Sequence, residues 1–90
     1  MLHPTVGNPV CVAWNNRQIL EALHKHTCVK AFICGHDHSG GNIKDDHGIQ
    51  HITVHGMIES TPGDPDYAIV KVYEDRIELE GYGRVPSLQF

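Results

Sequence analysis

Two histidines one residue apart, His36 and His38, have the residue type and spacing to bind metal ions. They follow an apolar run, which ends at Gly35. In an extended segment, residues i and i+2 point to the same side, so both imidazoles can face one site. Neutral imidazole is a common ligand of borderline metals, and Gly40 and Gly41 allow the backbone to approach an ion or a phosphate closely. We therefore interpret His36 and His38 as candidate metal ligands at the end of a strand.

Four other polar residues near this pair are candidates for lesser roles. Asp37 alternates away from the histidines, and we expect it to fix the loop, or to orient a ligand imidazole, rather than bind metal. His47, which precedes a glycine, is a candidate for contact with substrate or with the surroundings of the metal. His51 and His55 share one face of a strand-like segment, which favours structural roles for both.

The apolar pattern predicts one helix and about four strands around these residues. Ile19, Leu20 and Leu23 fall at helical spacing, which predicts a helix over residues 16–26 with an exposed last turn containing His24 and His26. Strands are predicted over residues 29–34, 51–55, 67–73 and 77–80, and the last two form a hairpin. Residues 35–49 and 56–65 are expected to be loops, and residues 81–90 to lack regular structure. A helix combined with strands indicates a layered α/β structure.

Composition restricts the partners and the compartment. The 90 residues carry a formal net charge of −4, and they contain no basic run. This disfavours a nucleic-acid partner and an anionic membrane surface. No apolar run approaches the roughly 20 residues that a membrane span needs. The three cysteines form no C-x-x-C motif, so we expect reduced thiols and a cytoplasmic protein.

Motifs spread over nearly the whole chain resemble a known family. The most specific is residues 35–38, Gly-His-Asp-His, which looks like the last signature, G-H-x-H, of the calcineurin-like metallophosphoesterases. The supporting motifs are residues 11–15, the helix with Ile19, Leu20 and Leu23, Gly40-Gly41, His47-Gly48, residues 51–53, Ile58-Glu59 and residues 72–76. In this order they are similar to the C-terminal part of the manganese-dependent ADP-ribose/CDP-alcohol diphosphatases.

The resemblance implies a hydrolase with the layered α/β-sandwich fold of the metallophosphoesterases. Such an enzyme uses two divalent ions, here expected to be manganese, to split the pyrophosphate bond of ADP-ribose or of a CDP-alcohol. Two ions clamp the phosphoryl oxygens and activate a water molecule. By this resemblance His36 would bind one ion and His38 the other. The implied partner is a small nucleotide-diphosphate substrate, and the complete protein is expected to be a monomer.

The chain departs from the family pattern at its beginning. The first three signatures of the family, D-x-H, G-D-x-x and G-N-H, are absent, and Leu2-His3-Pro4 looks like the end of the fourth. We therefore expect residues 1–90 to be the C-terminal portion of a metallophosphoesterase domain, and we identify no catalytic residue beyond the metal ligands. Because two histidines cannot hold two ions against water, the isolated chain is expected to be inactive. Because most of the sheet of the family fold is expected to lie outside residues 1–90, the isolated chain is also expected to be marginally stable or to aggregate.

Two alternatives to an enzyme fragment remain open. In the first, the chain is a non-enzymatic module that binds a single zinc ion in tetrahedral geometry. Its ligands would be Cys34, His36 and His38, together with either His47 or His51. In the second alternative, the chain is a structural domain in which the histidines are incidental.

Overall fold

The computed structural model describes residues 1–3 and 7–90, which form one α-helix, two short 3-10 helices and six strands. The helix α1 is Asn16–His24, and the 3-10 helices are Pro9–Cys11 and Met57–Glu59. The strands are β1 Ala31–Cys34, β2 Gly41–Lys44, β3 Gln50–Thr53, β4 Tyr67–Val72, β5 Ile77–Tyr82 and β6 Leu88–Gln89. The predicted α/β class, the helix and the four predicted strands are confirmed, and two further short strands are present.

The first sheet has the order β1-β3-β2 and carries the loop with the candidate ligands. β1 runs parallel to β3, with Ala31 opposite Gln50, whereas β2 is antiparallel to β3. All four residues of the central strand β3 are buried. The prediction that residues 35–49 are only a loop is wrong, because β2 lies within it. The strand escaped prediction because Gly-Asn-Ile-Lys offers a single apolar residue, which is too little alternation to signal a strand.

The second sheet consists of the predicted hairpin β4–β5 and the added strand β6. Leu79 of β5 lies opposite both Val70 and Leu88, so β5 is the central strand. The expectation that residues 81–90 lack regular structure is wrong. The chain turns back after Gly81, whose Cα lies so close to the backbone of Val85 that a side chain would collide with it. This close approach buries Val85 and brings β6 onto β5.

A small apolar core lies between the two sheets. Its fully buried members are Ile52 of β3, Leu79 of β5 and Val85. Four half-buried side chains pack around them, namely Val54, Ala68, Leu88 and Phe90. The core therefore joins the sheet that carries the candidate ligands to the C-terminal hairpin.

Much apolar surface stays outside this core. The molecule is a thin slab, with extents of 42 × 35 × 14 Å. Trp14 is 93% exposed, Ile58 84% and Val72 74%. Monomeric proteins rarely leave so many large apolar side chains uncovered. Within the described part of the chain, no helix is long and apolar enough to cross a membrane.

An ion pair between buried Asp66 and exposed Arg84 fixes the loop before β4. The carboxylate of Asp66 accepts hydrogen bonds from Arg84 N (2.6 Å), Nε (2.7 Å) and Nη2 (2.5 Å). Arg84 Nη2 also donates to the carbonyl oxygen of Gly56 (3.2 Å). The guanidinium of Arg84, followed by its backbone N–H, lowers the pKa of Asp66 to about 2. The pair therefore links the two ends of the segment from Gly56 to β4.

This pair predicts a specific dependence of stability on acid. A carboxylate with a lowered folded-state pKa stabilises the fold above its unfolded pKa of about 4, and this contribution is lost as the pH falls towards about 2. We expect Asp66→Asn to lower the melting temperature at pH 7, and the difference from the unmodified chain to shrink between pH 4 and pH 2. Melting temperatures at half-unit pH intervals check this. Exposed Asp64 supplies the control, Asp64→Asn. A difference for Asp66→Asn that is the same at pH 7 and pH 2 would contradict the assignment.

Candidate functional site

The loop between β1 and β2 carries the Gly-His-Asp-His motif. β1 ends at Cys34, and the backbone leaves the extended conformation at His36, whose φ is 87°. No other non-glycine residue among those described has a positive φ. The expectation that His36 and His38 alternate along an extended segment is therefore wrong. A non-glycine residue in this region is strained, and such strain is often found at functional sites.

Asp37 fixes the loop, as predicted. It is buried, and its Oδ2 accepts a hydrogen bond from Asn8 N (2.5 Å). Its Oδ1 accepts from Ser39 N (3.1 Å) and Ser39 Oγ (2.5 Å). The hydroxyl of Ser39, followed by the N–H groups of Asn8 and Ser39, lowers the pKa of Asp37. The carboxylate therefore stays ionised and ties the motif to the segment that precedes the helix.

His38 is held by a carboxylate that the sequence analysis assigned no role. Its Nδ1 lies 3.0 Å from Oε1 of Glu59, and both side chains are about half exposed. Its carbonyl oxygen accepts a hydrogen bond from Gly56 N (3.1 Å), and Gly56 leaves room for the imidazole where a Cβ would collide. A carboxylate that accepts from Nδ1–H leaves the lone pair on Nε2. His38 is thus oriented as a metal-ligating histidine usually is.

The other histidines of this region have structural surroundings. The ring of His55 lies directly against Gly40, whose φ is 67°, so a side chain at position 40 would displace it. His51 is buried in β3, as its expected structural role requires, and its Nε2 lies 2.9 Å from Oδ2 of Asp45. These contacts pack the loop and the β2–β3 turn against the sheet.

A second cluster, which we call the turn cluster, forms around Asp45 at the β2–β3 turn and consists of His24, Asp45 and His47. The Oδ1 of Asp45 accepts hydrogen bonds from His47 N and Ile49 N (both 2.9 Å). Its Oδ2 lies 3.0 Å from His24 Nε2 and 2.9 Å from His51 Nε2. Burial alone would raise the pKa of Asp45, but the hydrogen bonds from His24 and His51 and the two N–H groups outweigh it and hold the pKa far below its usual range.

The turn cluster corrects the interpretation of His24 and gives His47 its structural surroundings. His24 was expected to be exposed, but its side chain is only 20% exposed because it reaches Asp45. The ring of His47 stacks on that of His24, with centroids 3.6 Å apart and planes 7° from parallel. His47 therefore belongs to this cluster, and its suggested contact with substrate stays a prediction. Asp45 was missed because its partner His24 lies 21 residues away, and no local pattern links them.

The alternative zinc site is not assembled. The thiol of Cys34 pairs with the hydroxyl of Thr53 (3.5 Å), and all three cysteines are free. Across residues 1–3 and 7–90, the turn cluster is the one group of three or more histidine, cysteine or acidic side chains close enough to share an ion. The structure therefore does not bring Cys34, His36 and His38 together with His47 or His51, and the zinc module stays an untested alternative.

His36 and His38 fit a shared metal centre as a partial ligand set. Both side chains are accessible, and both offer imidazole nitrogen, a donor that manganese and zinc accept. The bond of His38 to Glu59 is the kind of support that ligand histidines have.

The chain is similar to curated proteins of one kind. No family model matches it. The manganese-dependent ADP-ribose/CDP-alcohol diphosphatase of Danio rerio is 45% identical over 87 residues, which are 97% of this chain and 27% of that protein. The human and bovine proteins of the same name are 40% and 41% identical and cover 96% and 94% of the chain. The chain spans about a quarter of the length of these relatives.

A solved structure agrees with the sequence comparison. The crystal structure of a dimetal phosphatase from Danio rerio superimposes with a TM-score of 0.94 at 44% identity, covering 98% of this chain and 28% of that one. The fold predicted from the Gly-His-Asp-His motif is thereby confirmed. Along nearly its whole length, the chain is thus homologous to about one quarter of the manganese-dependent ADP-ribose/CDP-alcohol diphosphatases and has the fold of that quarter.

Proposed function

We propose that this chain contributes to a two-metal hydrolase that cleaves the pyrophosphate bond of ADP-ribose or of CDP-alcohols. The observation that carries the proposal is the Gly-His-Asp-His loop, in which Glu59 holds Nδ1 of His38. The loop lies in a chain that is 45% identical to a diphosphatase of that name. The accessible imidazoles and the buried, loop-fixing Asp37 are what a ligand loop at the end of a strand requires.

Each residue of the loop has a distinct task in this proposal. His36 binds one ion and His38 the other, through imidazole nitrogens that must be neutral to act as ligands. When bound, two manganese ions supply positive charge to the phosphoryl oxygens and activate water. Glu59 fixes the ring orientation of His38, and Asp37 fixes the loop between the two ligands. The strained backbone at His36 sets the direction of the first ligand.

We further propose that residues 1–90 act as part of a larger domain. The relatives are about four times longer, and this chain alone forms a slab only 14 Å thick with exposed apolar residues such as Trp14 and Val72. In the complete domain these side chains are covered, and further metal ligands join His36 and His38. We also propose that the complete protein is a cytoplasmic monomer, and its three free cysteines support the compartment.

The proposal predicts opposite results for two proteins. The isolated chain with millimolar manganese is expected to show no hydrolysis of ADP-ribose above the rate without protein, because it holds too few ligands. In the second protein, called the zebrafish chimera, residues 1–90 replace the matching segment of the Danio rerio diphosphatase. The zebrafish chimera is expected to hydrolyse ADP-ribose or CDP-choline in a manganese-dependent manner.

Release of AMP or CMP, measured by chromatography, checks both expectations. The unmodified zebrafish diphosphatase is the positive control, and circular dichroism establishes that the chimera is folded. A folded chimera that hydrolyses neither substrate would overturn the proposed function. Manganese-dependent turnover by the isolated chain would overturn the proposal that it needs further ligands.

A further inference from the structure

We propose that the turn cluster of His24, Asp45 and His47 is a site for a single borderline divalent ion, with Zn²⁺ as the best match. Two imidazole nitrogens and one carboxylate oxygen form a donor set that zinc binds well. The site uses neither His36 nor His38, and it does not rest on the proposed diphosphatase activity. It joins the end of α1 to the turn between β2 and β3.

The ligand atoms are already close together. One donor atom from each of the three residues lies within 4.8 Å of the others, and His24 Nε2 is 3.0 Å from Asp45 Oδ2. Zinc bonds of 2.0–2.2 Å in tetrahedral geometry place ligand atoms about 3.3–3.5 Å apart. The His24–Asp45 separation is near this value. The half-exposed side chain of His47 has to turn out of its stack on His24 before its ring nitrogen can point at the same ion.

The surrounding contacts prepare the donors for a cation. Asp45 is buried, and three hydrogen bonds hold it independently of His24, from His47 N, Ile49 N and His51 Nε2. On His47, Nδ1 lies 2.9 Å from Oδ1 of Asp46. A carboxylate on one ring nitrogen leaves the lone pair on the other, as in most zinc-bound histidines. The rings of His24 and His47 already meet, with centroids 3.6 Å apart, although the two residues lie far apart in sequence.

An ion at the turn cluster would keep an open coordination position. His24 and His47 line a cleft of about 540 Å³, whose other charged or titratable residues are His26, Lys30, Lys44, Glu74, Asp75 and Arg76. Sites in which zinc has three protein ligands complete their shell with water or a small ligand. The alternative is that the turn cluster binds no metal and is only a hydrogen-bond network between α1 and the β2–β3 turn.

Metal titration in a chain without the other ligand pair separates these alternatives. The starting protein is the 90-residue chain with His36→Ala and His38→Ala, titrated with Zn²⁺ by calorimetry and with Co²⁺ by visible absorption. We expect one equivalent to bind, with the intense absorption of four-coordinate cobalt. We expect His24→Gln and His47→Ala each to weaken binding at least about tenfold, because each removes one of three ligands. His26→Ala, in the same cleft, is the matched control and should leave the affinity unchanged.

A check of folding separates loss of a ligand from loss of structure in this test. His47 is half exposed, so His47→Ala should preserve the circular dichroism spectrum. If the isolated chain proves too unstable, the same substitutions are made in the zebrafish chimera carrying His36→Ala and His38→Ala. Metal bound by the other ligands of this chimera is then the same in all variants and can be subtracted. Absence of the metal equivalent, or an affinity that neither His24→Gln nor His47→Ala changes, would leave the turn cluster as a hydrogen-bond network and overturn the proposal.

Discussion

Replacing His36 or His38 with alanine in the zebrafish chimera is expected to lower manganese-dependent hydrolysis at least about 1,000-fold. A metal ion supplies several kcal/mol of charge stabilisation to the transition state, and each 1.4 kcal/mol corresponds to about tenfold in rate. Each substitution removes an imidazole that only the Gly-His-Asp-His loop provides. AMP release at saturating ADP-ribose and over a range of manganese concentrations measures the loss. His26→Ala, an exposed histidine outside this loop, is the control.

A substitution of Glu59 is expected to have a smaller effect that high manganese partly reverses. Glu59→Gln keeps the size of the side chain but weakens its interaction with His38 Nδ1. Loss of such a supporting carboxylate typically costs 10- to 100-fold in metal affinity or activity. We therefore expect Glu59→Gln to require more manganese for half-maximal rate, with partial recovery at high manganese. His38→Ala should not recover, and exposed Glu74→Gln should behave as the unmodified chimera does.

The outcomes distinguish a ligand from a structural residue. If His38 only packed the loop, His38→Ala would reduce the amount of folded protein but leave the manganese dependence of the remaining activity unchanged. A full rate for His36→Ala at any manganese concentration would show that His36 binds no ion. If Glu59→Gln and Glu74→Gln changed the manganese dependence of the rate equally, Glu59 would have no role in supporting His38.

Local sequence patterns predicted the parts of this fold that depend on neighbouring residues. The hairpin β4–β5 follows from alternation and a short turn, and α1 follows from the spacing of Ile19, Leu20 and Leu23. The role of Asp37 in fixing its loop was also predictable, because Ser39, two residues away, supplies two of its hydrogen bonds. In each case the information lies within a few residues of the element.

Features that depend on distant contacts were not predictable from pattern. Asp45 and His24 meet only because β2 and β3 form a hairpin beside the end of α1. Glu59 reaches His38 because Gly56 allows the loop before β4 to approach the imidazole. The strained φ of His36 likewise has no signature in residue type. Tertiary packing determines these contacts and this backbone conformation, so they cannot be predicted from local patterns in a single sequence.

Leu79→Ala is expected to remove about half or more of the free energy of unfolding of the isolated chain. Leu79 is 2% exposed, and it packs in one buried cluster with Ile52 and Val85. Buried Leu→Ala substitutions cost about 2–5 kcal/mol, whereas a domain of this length typically has only about 5–14 kcal/mol of stability. A chain with so much uncovered apolar surface should lie at the low end of that range. Urea unfolding followed by circular dichroism measures the change.

Val72→Ala is the matched control, and it also tests whether the chain is part of a larger domain. Val72 lies in the same sheet as Leu79 but is 74% exposed in the isolated chain. There its truncation should change the free energy of unfolding by less than about 0.5 kcal/mol. If the rest of the domain covers Val72, the same substitution in the zebrafish chimera should cost about 1–2 kcal/mol, because two buried methyl groups are lost. Equal small effects in both proteins would mean that this face of β4 stays open to solvent in the complete domain.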